Sequence, residues 1–117
     1  MIYAFADCEV DTNLYELRRD RIARAIEPQV YDVLVYLIEN RLRLVSKAEL
    51  LDRLWPDRMV SEAALSHCIM AARKAIGDNG QTQALIRTVH RRGYRFVGEI
   101  HLHTQRERRD SRPLPLA

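Results

Sequence analysis

Residues 61–98 read SEAALSHCIMAARKAIGDNGQTQALIRTVHRRGYRFVG. Apolar residues recur at helical spacing after Ser61, a good N-cap, and predict an amphipathic helix over residues 61–76. Residues 85–98 then predict a strand, a tight turn at His90-Arg91-Arg92-Gly93 and a second strand. This order suits binding to duplex DNA at two places. The major groove, roughly 12 Å wide, admits a helix, and a narrow basic hairpin can lie along phosphates or enter the next minor groove.

The helix over residues 61–76 has one apolar and one polar face. Its apolar stripe is formed by Leu65, Cys68, Ile69, Ala72 and Ile76, and its outward residues are then Ala63, Ser66, His67, Met70, Arg73 and Lys74. Ser66 and His67 can hydrogen-bond to base edges, and Met70 can touch a thymine methyl group. Arg73 and Lys74 suit phosphates better. An ordinary amphipathic helix with a solvated polar face explains the same pattern equally well.

The hairpin is a more specific signal than the helix. Its positive charge comes from Arg87, Arg91, Arg92 and Arg95, to which His90 adds only when protonated. Thr88 can donate a hydrogen bond to a phosphate, while Tyr94, Phe96 and Val97 are expected in the core. So basic a projecting segment has little structural purpose, and contact with a polyanion is therefore the favoured interpretation.

Two further helices are predicted upstream. Pro28 suits the first turn of a helix whose apolar stripe ends near Asn40. That stripe consists of Val30, Val33, Leu34, Leu37 and Ile38. The next helix begins at Ser46, an N-cap that forms a capping box with Glu49, and it stops at Pro56. Val45 and Leu50 occupy the positions of a hydrophobic staple.

The organisation is that of one α+β domain. Residues 1–27 predict a small antiparallel sheet, because short runs of strand-favouring residues alternate with turn-like residues. The domain is expected to span residues 1–100, and residues 101–117, rich in arginine and proline, to form a flexible basic tail or linker. A chain of 117 residues fits a single domain of ordinary size.

The charge distribution also favours a nucleic-acid partner. Residues 1–62 carry nine basic and twelve acidic side chains, whereas residues 63–117 carry ten basic and four acidic ones. The basic surplus therefore accompanies the helix, the hairpin and the tail; chance segregation on a solvated surface is the alternative. Two widely spaced cysteines and the lack of a long apolar run fit a cytoplasmic protein without a membrane segment.

Metal binding and catalysis find little support. The His101-Leu102-His103 run, even with His67, Cys68 and His90, has no recognised zinc spacing. There is no glycine-rich phosphate loop, activated nucleophile or convincing carboxylate pair. We therefore expect no enzyme activity, no cofactor and no metal.

Three motifs in order carry a resemblance to a known family. They are VSKAELLDRLWPD (45–57), ARKAIGD (72–78) and IRTVHRRGYRFVG (86–98). Residues 28–98 resemble the C-terminal effector domain of OmpR/PhoB-type bacterial transcriptional regulators, which act in signal transduction and phosphorelay. The likeness is strongest to the CadC-like branch, in which this domain is N-terminal. A receiver domain is not expected before Met1.

The resemblance implies a winged helix-turn-helix: a four-stranded N-terminal antiparallel β-sheet, three helices and a C-terminal β-hairpin wing. It places helix 61–76 in the major groove and the wing, residues 85–98, on the backbone or minor groove. It also implies that Thr88 and Arg73 contact phosphates and that loop 56–60 faces RNA polymerase. It puts Trp55 on the DNA backbone, although a core indole remains an equal alternative.

Departures from the family pattern leave a second function open. Many members carry arginines at the positions of Ala63, Met70 and Ala71, and one where His90 stands. Arginine is the usual partner of guanine, so weaker binding by one domain is expected, offset by pairing of two copies on DNA. The alternative is a winged-helix protein-interaction module that has weakened or lost DNA binding and that docks a partner protein through Ala63, Met70 and Ala71.

Overall fold

The computed structural model describes residues 1–104 and begins with four short antiparallel strands. These are β1 (Ile2–Phe5), β2 (Cys8–Asp11), β3 (Glu16–Arg19) and β4 (Ile22–Arg24). Consecutive strands pair with one another, and the register sets Val10 opposite Leu17, both fully buried. The predicted small sheet in residues 1–27 is confirmed.

A fifth strand extends this sheet at its β1 edge. β8 (His101–His103) pairs antiparallel with β1, and the order in the sheet is β4-β3-β2-β1-β8. The prediction that the tail begins at His101 is therefore wrong for these three residues. All three side chains are exposed, so no apolar alternation in the sequence marks a strand whose pairing uses the backbone. The rest of the predicted tail, from residue 105 onward, lies outside the described residues.

The first two helices form where the sequence predicts them. α1 (Pro28–Glu39) has its proline at the first turn and buries the predicted apolar stripe. The two-residue strand β5 (Val45–Ser46) leads into α2 (Lys47–Leu54), and Ser46 Oγ accepts a hydrogen bond from the backbone N–H of Glu49 at 3.0 Å. The N-cap of α2 is confirmed, and Val45 and Leu50 of the predicted staple are both fully buried.

The reciprocal half of the predicted capping box does not form. The Glu49 carboxylate instead accepts from the Tyr36 hydroxyl and from Arg43, whose Nη1 lies 2.8 Å from Oε1. A charged guanidinium offers a carboxylate stronger hydrogen bonds than a backbone N–H does. Hydrogen bonds from Arg43, and then from Tyr36, lower the pKa of Glu49 to about 2.

The third helix and the hairpin complete the domain. α3 (Glu62–Ala75) begins after Ser61, whose Oγ accepts from the N–H of Ala64 at 3.1 Å. β6 (Ile86–Val89) and β7 (Gly93–Phe96) form the hairpin, and β7 also pairs with β5 in a three-stranded sheet ordered β5-β7-β6. A Cβ at Gly93 would lie 2.0 Å from the carbonyl oxygen of Val45, so close strand approach requires glycine there.

One core joins these elements. Side chains from the N-terminal sheet, all three helices and the hairpin pack in a single buried cluster, which includes Tyr94 and Phe96 as predicted. Val97 was expected there too, but it is 39% exposed because it lies beyond the end of β7. Among the described residues, no helix has the length and apolar character to cross a membrane.

Candidate nucleic-acid interface

One face of α3 is free of core contacts. Ala63, Ser66, His67, Met70 and Lys74 are all exposed, as the sequence predicts. Their spacing of three or four residues places them on adjacent turns of one face. Small side chains at its N-terminal end allow close approach to another surface, and hydrogen-bonding groups and Lys74 follow along it. We name these five residues the α3 face.

Arg73 does not belong to that face, contrary to the sequence prediction. Its side chain is 6% exposed, and Nε and Nη2 donate to the backbone carbonyl of Ile86 at 3.1 and 3.0 Å. Arg73 follows buried Ile69 by four residues and precedes buried Ile76 by three, which puts it on the core side of the helix. It therefore links α3 to β6 rather than facing solvent.

The same guanidinium fixes the Thr88 hydroxyl. Arg73 Nη2 donates to Thr88 Oγ1 at 2.7 Å, and the Thr88 N–H donates to Gln83 Oε1 at 2.8 Å. A hydroxyl has a single proton, and here Arg73 occupies an acceptor position on the oxygen. Because arginine cannot accept, the Thr88 proton remains free to be donated to another group. Thr88 is thus held as a hydrogen-bond donor on β6, one residue pair from the turn of the hairpin.

Asp78 secures the chain between α3 and β6. Gly77, with a φ of 80°, follows the end of the helix, and the Asp78 carboxylate accepts from three backbone N–H groups. Those groups belong to Ala84 at 2.8 Å and to Leu85 and Ile86 at 3.0 Å each. Burial acts to raise the pKa of Asp78, but the backbone hydrogen bonds outweigh it, and the pKa is lowered from 3.8.

Replacing Asp78 with asparagine is expected to lower the free energy of unfolding by about 2 kcal/mol at neutral pH, since an amide cannot accept all three bonds. Because the pKa of Asp78 is lower in the folded state, its stabilisation is present above the unfolded-state pKa near 3.8. It is lost as the pH falls through the folded-state value. Urea denaturation from pH 7 to pH 3 checks this. The wild-type advantage should shrink below about pH 4, and a constant advantage would contradict the assignment.

The exposed Asp57→Asn variant is the matched control, because it makes the same chemical change in a loop. Its stability should stay within about 0.5 kcal/mol of wild type across the range.

The hairpin carries exposed positive charge at its tip and on one side. His90, Arg91 and Arg92 are exposed in the turn, where Arg91 has a φ of 62° and the Arg92 N–H donates to the Val89 carbonyl at 2.9 Å. Arg87 and Arg95 are exposed and directly opposite each other across the two strands. Within residues 1–104, none of these four arginines forms an ion pair. Their charge is therefore available to a polyanion.

Trp55 and the loop after it have different environments. Trp55 is 6% exposed and packs in the core, which matches the core-indole alternative from the sequence. The loop over residues 56–60 is mostly exposed, and Met59 there is fully accessible to solvent. Contact of this loop with RNA polymerase stays a prediction.

Metal binding and thiol chemistry have little support in the described part of the chain. Residues 1–104 contain no group of three or more histidine, cysteine or acidic side chains arranged to hold a metal. Cys8 is a free, buried thiol whose pKa is raised to about 12, first by burial and then by its hydrogen bond to Asp7.

Sequence reasoning missed three residues that shape the site. They are Gln83, Asp78 and, in its actual role, Arg73. Their partners lie five to fifteen residues further along the chain, on β6 or in the two residues before it. Only the spacing of Arg73 from Ile69 and Ile76 could have indicated its inward position.

Comparison with known proteins gives consistent matches. The family model described as "Transcriptional regulatory protein, C terminal" matches residues 23–96. The transcriptional regulator HilA of Salmonella typhi is 41% identical over 71 residues, which cover 61% of this chain and 13% of HilA. The transcriptional activator CadC of Escherichia coli K12 is 25% identical over 99 residues, 84% of this chain and 19% of CadC. This chain thus spans less than a fifth of either relative's length.

Solved structures share the fold. The Thermotoga maritima response regulator DrrB, an OmpR/PhoB homologue, superposes with a TM-score of 0.76 and 27% identity, over 83% of this chain and 44% of DrrB. The DNA-binding domain of E. coli CadC gives 0.73 and 23%, over 87% of this chain and 96% of that one. The Klebsiella pneumoniae RstA DNA-binding domain, solved in complex with the RstA box, gives 0.70 and 20%, over 81% and 95%.

Proposed function

The chain belongs to the transcriptional regulatory protein, C-terminal family, and we propose on that premise that it binds double-stranded DNA in a sequence-specific manner. The family consists of DNA-binding domains of bacterial transcriptional regulators, not of enzymes. In the proposed complex α3 enters the major groove, and the wing lies on the adjacent backbone or minor groove. The observation that carries the proposal is the exposed α3 face joined to a wing of unpaired arginines by the buried Arg73.

Residues of the α3 face take separate roles in this complex. Ser66 and His67 read base edges through hydrogen bonds, and Met70 contacts a thymine methyl group. Ala63 allows close approach of the helix to the groove, while Lys74 neutralises a phosphate. With no arginine exposed on α3, guanine readout is limited and sequence-dependent DNA shape contributes more to preference.

The wing supplies affinity rather than sequence readout. Arg87, Arg91 and Arg92 contact phosphates, and His90 joins them when protonated. Thr88 donates to a phosphate with the proton that its bond from Arg73 leaves free. Arg73 orients Thr88 from within the fold, and neither Arg73 nor Trp55, both buried, contacts DNA directly in this proposal.

Two changes on the α3 face should separate readout from charge. Replacing Ser66 and His67 with alanine is expected to alter the preferred sequence with less than about a tenfold loss of affinity for random duplex, since base contacts specify and phosphate contacts position. Lys74→Ala should weaken binding to all sequences about equally and reduce the salt slope by about one. Selection from a random duplex pool followed by sequencing measures the preference, and fluorescence anisotropy measures affinity. An unchanged preference in the double variant would remove α3 from base readout.

A protein-interaction module is the second candidate function. It rests on Met70, which is 60% exposed and shares a helix face without exposed arginine with Ala63. Absence of duplex binding by folded protein at about 50 mM salt, where electrostatic binding is strong, would favour it.

Wider partners are proposals at the level of the whole regulator. Two copies would pair on adjacent half-sites to raise affinity, and loop 56–60 with exposed Met59 would face RNA polymerase. The proposed partner, bacterial genomic DNA, places this activity in the cytoplasm.

A further inference from the structure

A cleft of about 580 Å³ lies between α3 and the segment that joins β4 to α1. One wall is α3, through His67, Cys68, Ala71, Lys74 and Ala75. The opposite wall is formed by residues 24–27 with Val30, and Arg19 completes the lining. Its volume lies in the range of about 300–1,000 Å³ that is usual for small-molecule sites. We name it the α3 cleft.

The α3 cleft combines an apolar interior with a cationic rim. Ile26, Val30 and Ala71 are partly or fully buried against the core and give it an apolar wall. The register of β3 and β4 sets Arg24 opposite buried Leu17, so Arg24 shares the face of the sheet that is turned toward the helices. Arg19, two residues along β3, shares that face as well.

Two of the lining cations have no anionic partner. Arg19 is paired with Asp7 at 3.1 Å, whereas Arg24 and Lys74 form no ion pair with any residue from 1 to 104. The cleft also has one lining carboxylate, Glu27, against these two unpaired cations. This surplus favours an anionic ligand, while the apolar wall favours one with a hydrocarbon body.

We propose that the α3 cleft binds a small amphipathic carboxylate, its apolar body against Ile26, Val30 and Ala71 and its carboxylate at the rim formed by Arg24 and Lys74. The apolar part gains by leaving water, and the rim selects the charge of the head group. Arg24 and the apolar wall lie outside the α3 face and are not needed for the proposed DNA contacts, whereas Lys74 belongs to both surfaces.

Occupation of the cleft is coupled to DNA binding. This step rests on the proposed function. His67 and Lys74 belong both to the cleft lining and to the α3 face. A bound carboxylate adds negative charge beside the phosphates and engages Lys74. Ligand should therefore lower DNA affinity, and DNA should lower ligand affinity by the same factor.

The first experiment uses the DNA-free protein and the reactivity of Cys68. Cys68 is a free, half-buried thiol in the cleft lining, while buried Cys8 is the internal reference. The probes are octanoate and decanoate below their micelle-forming concentrations, with acetate and octylammonium as controls. Alkylation by N-ethylmaleimide is followed by peptide mass spectrometry, and the amide NMR signals of residues 24–27 and 67–75 are followed in parallel.

Saturable protection of Cys68 by octanoate or decanoate, but by neither control, is the expected result. Arg24→Gln should weaken that protection at least about fivefold, as loss of a charged hydrogen bond implies. Arg21→Gln, the same change on an exposed turn outside the cleft, should leave it within about twofold of wild type, as for surface substitutions generally.

Other results overturn the proposal. Equal protection by octylammonium would remove the role of the rim, and equal protection by acetate would remove that of the apolar wall. No saturable protection and no NMR shifts would leave the cleft without this ligand class. Loss of Cys68 reactivity with rising protein concentration, together with dimer formation, would mean that a second copy covers it.

A second experiment tests the coupling separately. Anisotropy of a labelled duplex is measured with and without saturating decanoate, and about a tenfold loss of DNA affinity is expected, within the usual span of coupling between sites. Arg24→Gln should retain DNA affinity, and the decanoate effect should require at least about fivefold more decanoate than in wild type. Binding of decanoate without any duplex binding would refute the proposed function and leave the cleft proposal standing. Duplex binding without protection of Cys68 by decanoate would refute the cleft proposal and leave the proposed function standing.

Discussion

Replacing Arg91 and Arg92 together with alanine is expected to weaken binding to every duplex about 100-fold, by loss of two charge-assisted hydrogen bonds of about 1.5 kcal/mol each. Both side chains are exposed at the tip of the wing and unpaired within the described chain, so their charge is free to displace counterions from DNA. The slope of log affinity against log salt should fall by about 1.8, since each neutralised phosphate contributes about 0.9. Fluorescence anisotropy on a random-duplex pool from about 50 to 200 mM salt spans the range where this dependence is steep.

The Arg91→Lys/Arg92→Lys variant is the matched control, because it keeps both positive charges. Like the alanine variant, it places a residue other than glycine at position 91, where the backbone is left-handed. It should keep the wild-type salt slope and most of the affinity. Thermal melts establish that each variant is folded. An alanine variant that binds as tightly as wild type would remove the wing tip from the DNA contact.

Replacing Arg73 with methionine should lower the free energy of unfolding by about 3 kcal/mol, because the substitution leaves the buried carbonyl of Ile86 without its donor. Methionine fills a similar length with an unbranched apolar chain, which limits the cavity. The folded fraction should also bind all duplexes more weakly, since the Thr88 hydroxyl loses the contact that orients it. Urea denaturation measures the stability, and anisotropy below the melting temperature measures the binding.

Thr88→Val distinguishes the two roles of Arg73. Valine replaces the hydroxyl with a methyl group of similar size, so stability should fall by about 1 kcal/mol, the usual worth of one hydrogen bond. DNA affinity should still fall about as much as in Arg73→Met. An Arg73→Met variant with wild-type stability and reduced affinity would mean that Arg73 is a solvent-facing phosphate ligand after all.

Elements defined by local signals were predictable from the sequence. Each of these elements depends on residues a few positions apart. They are the apolar stripe of α1, the N-caps at Ser46 and Ser61, and the hairpin of β6 and β7. Hydrophobic periodicity and capping depend on local spacing, and the same periodicity identified the five residues of the α3 face as exposed.

Features that depend on tertiary partners were not predictable in the same way. A charged residue such as Arg73 is expected in water by default, and its inward position follows from a carbonyl and a hydroxyl on β6. Glu49 fitted a capping box locally, yet Arg43 and Tyr36 compete for its carboxylate. The α3 cleft joins residues more than forty positions apart, and no single stretch of sequence records it.

The pairing of β8 with β1 brings the two ends of the described chain close together. Ile2 lies directly opposite His103, so the first and last strands of the described chain are neighbours in one sheet. The position of the chain ends can therefore be changed without changing how the strands and helices pack. A short linker from residue 104 to residue 1 would let new ends be opened in an exposed turn such as residues 79–82, and circular permutants should assemble the same core.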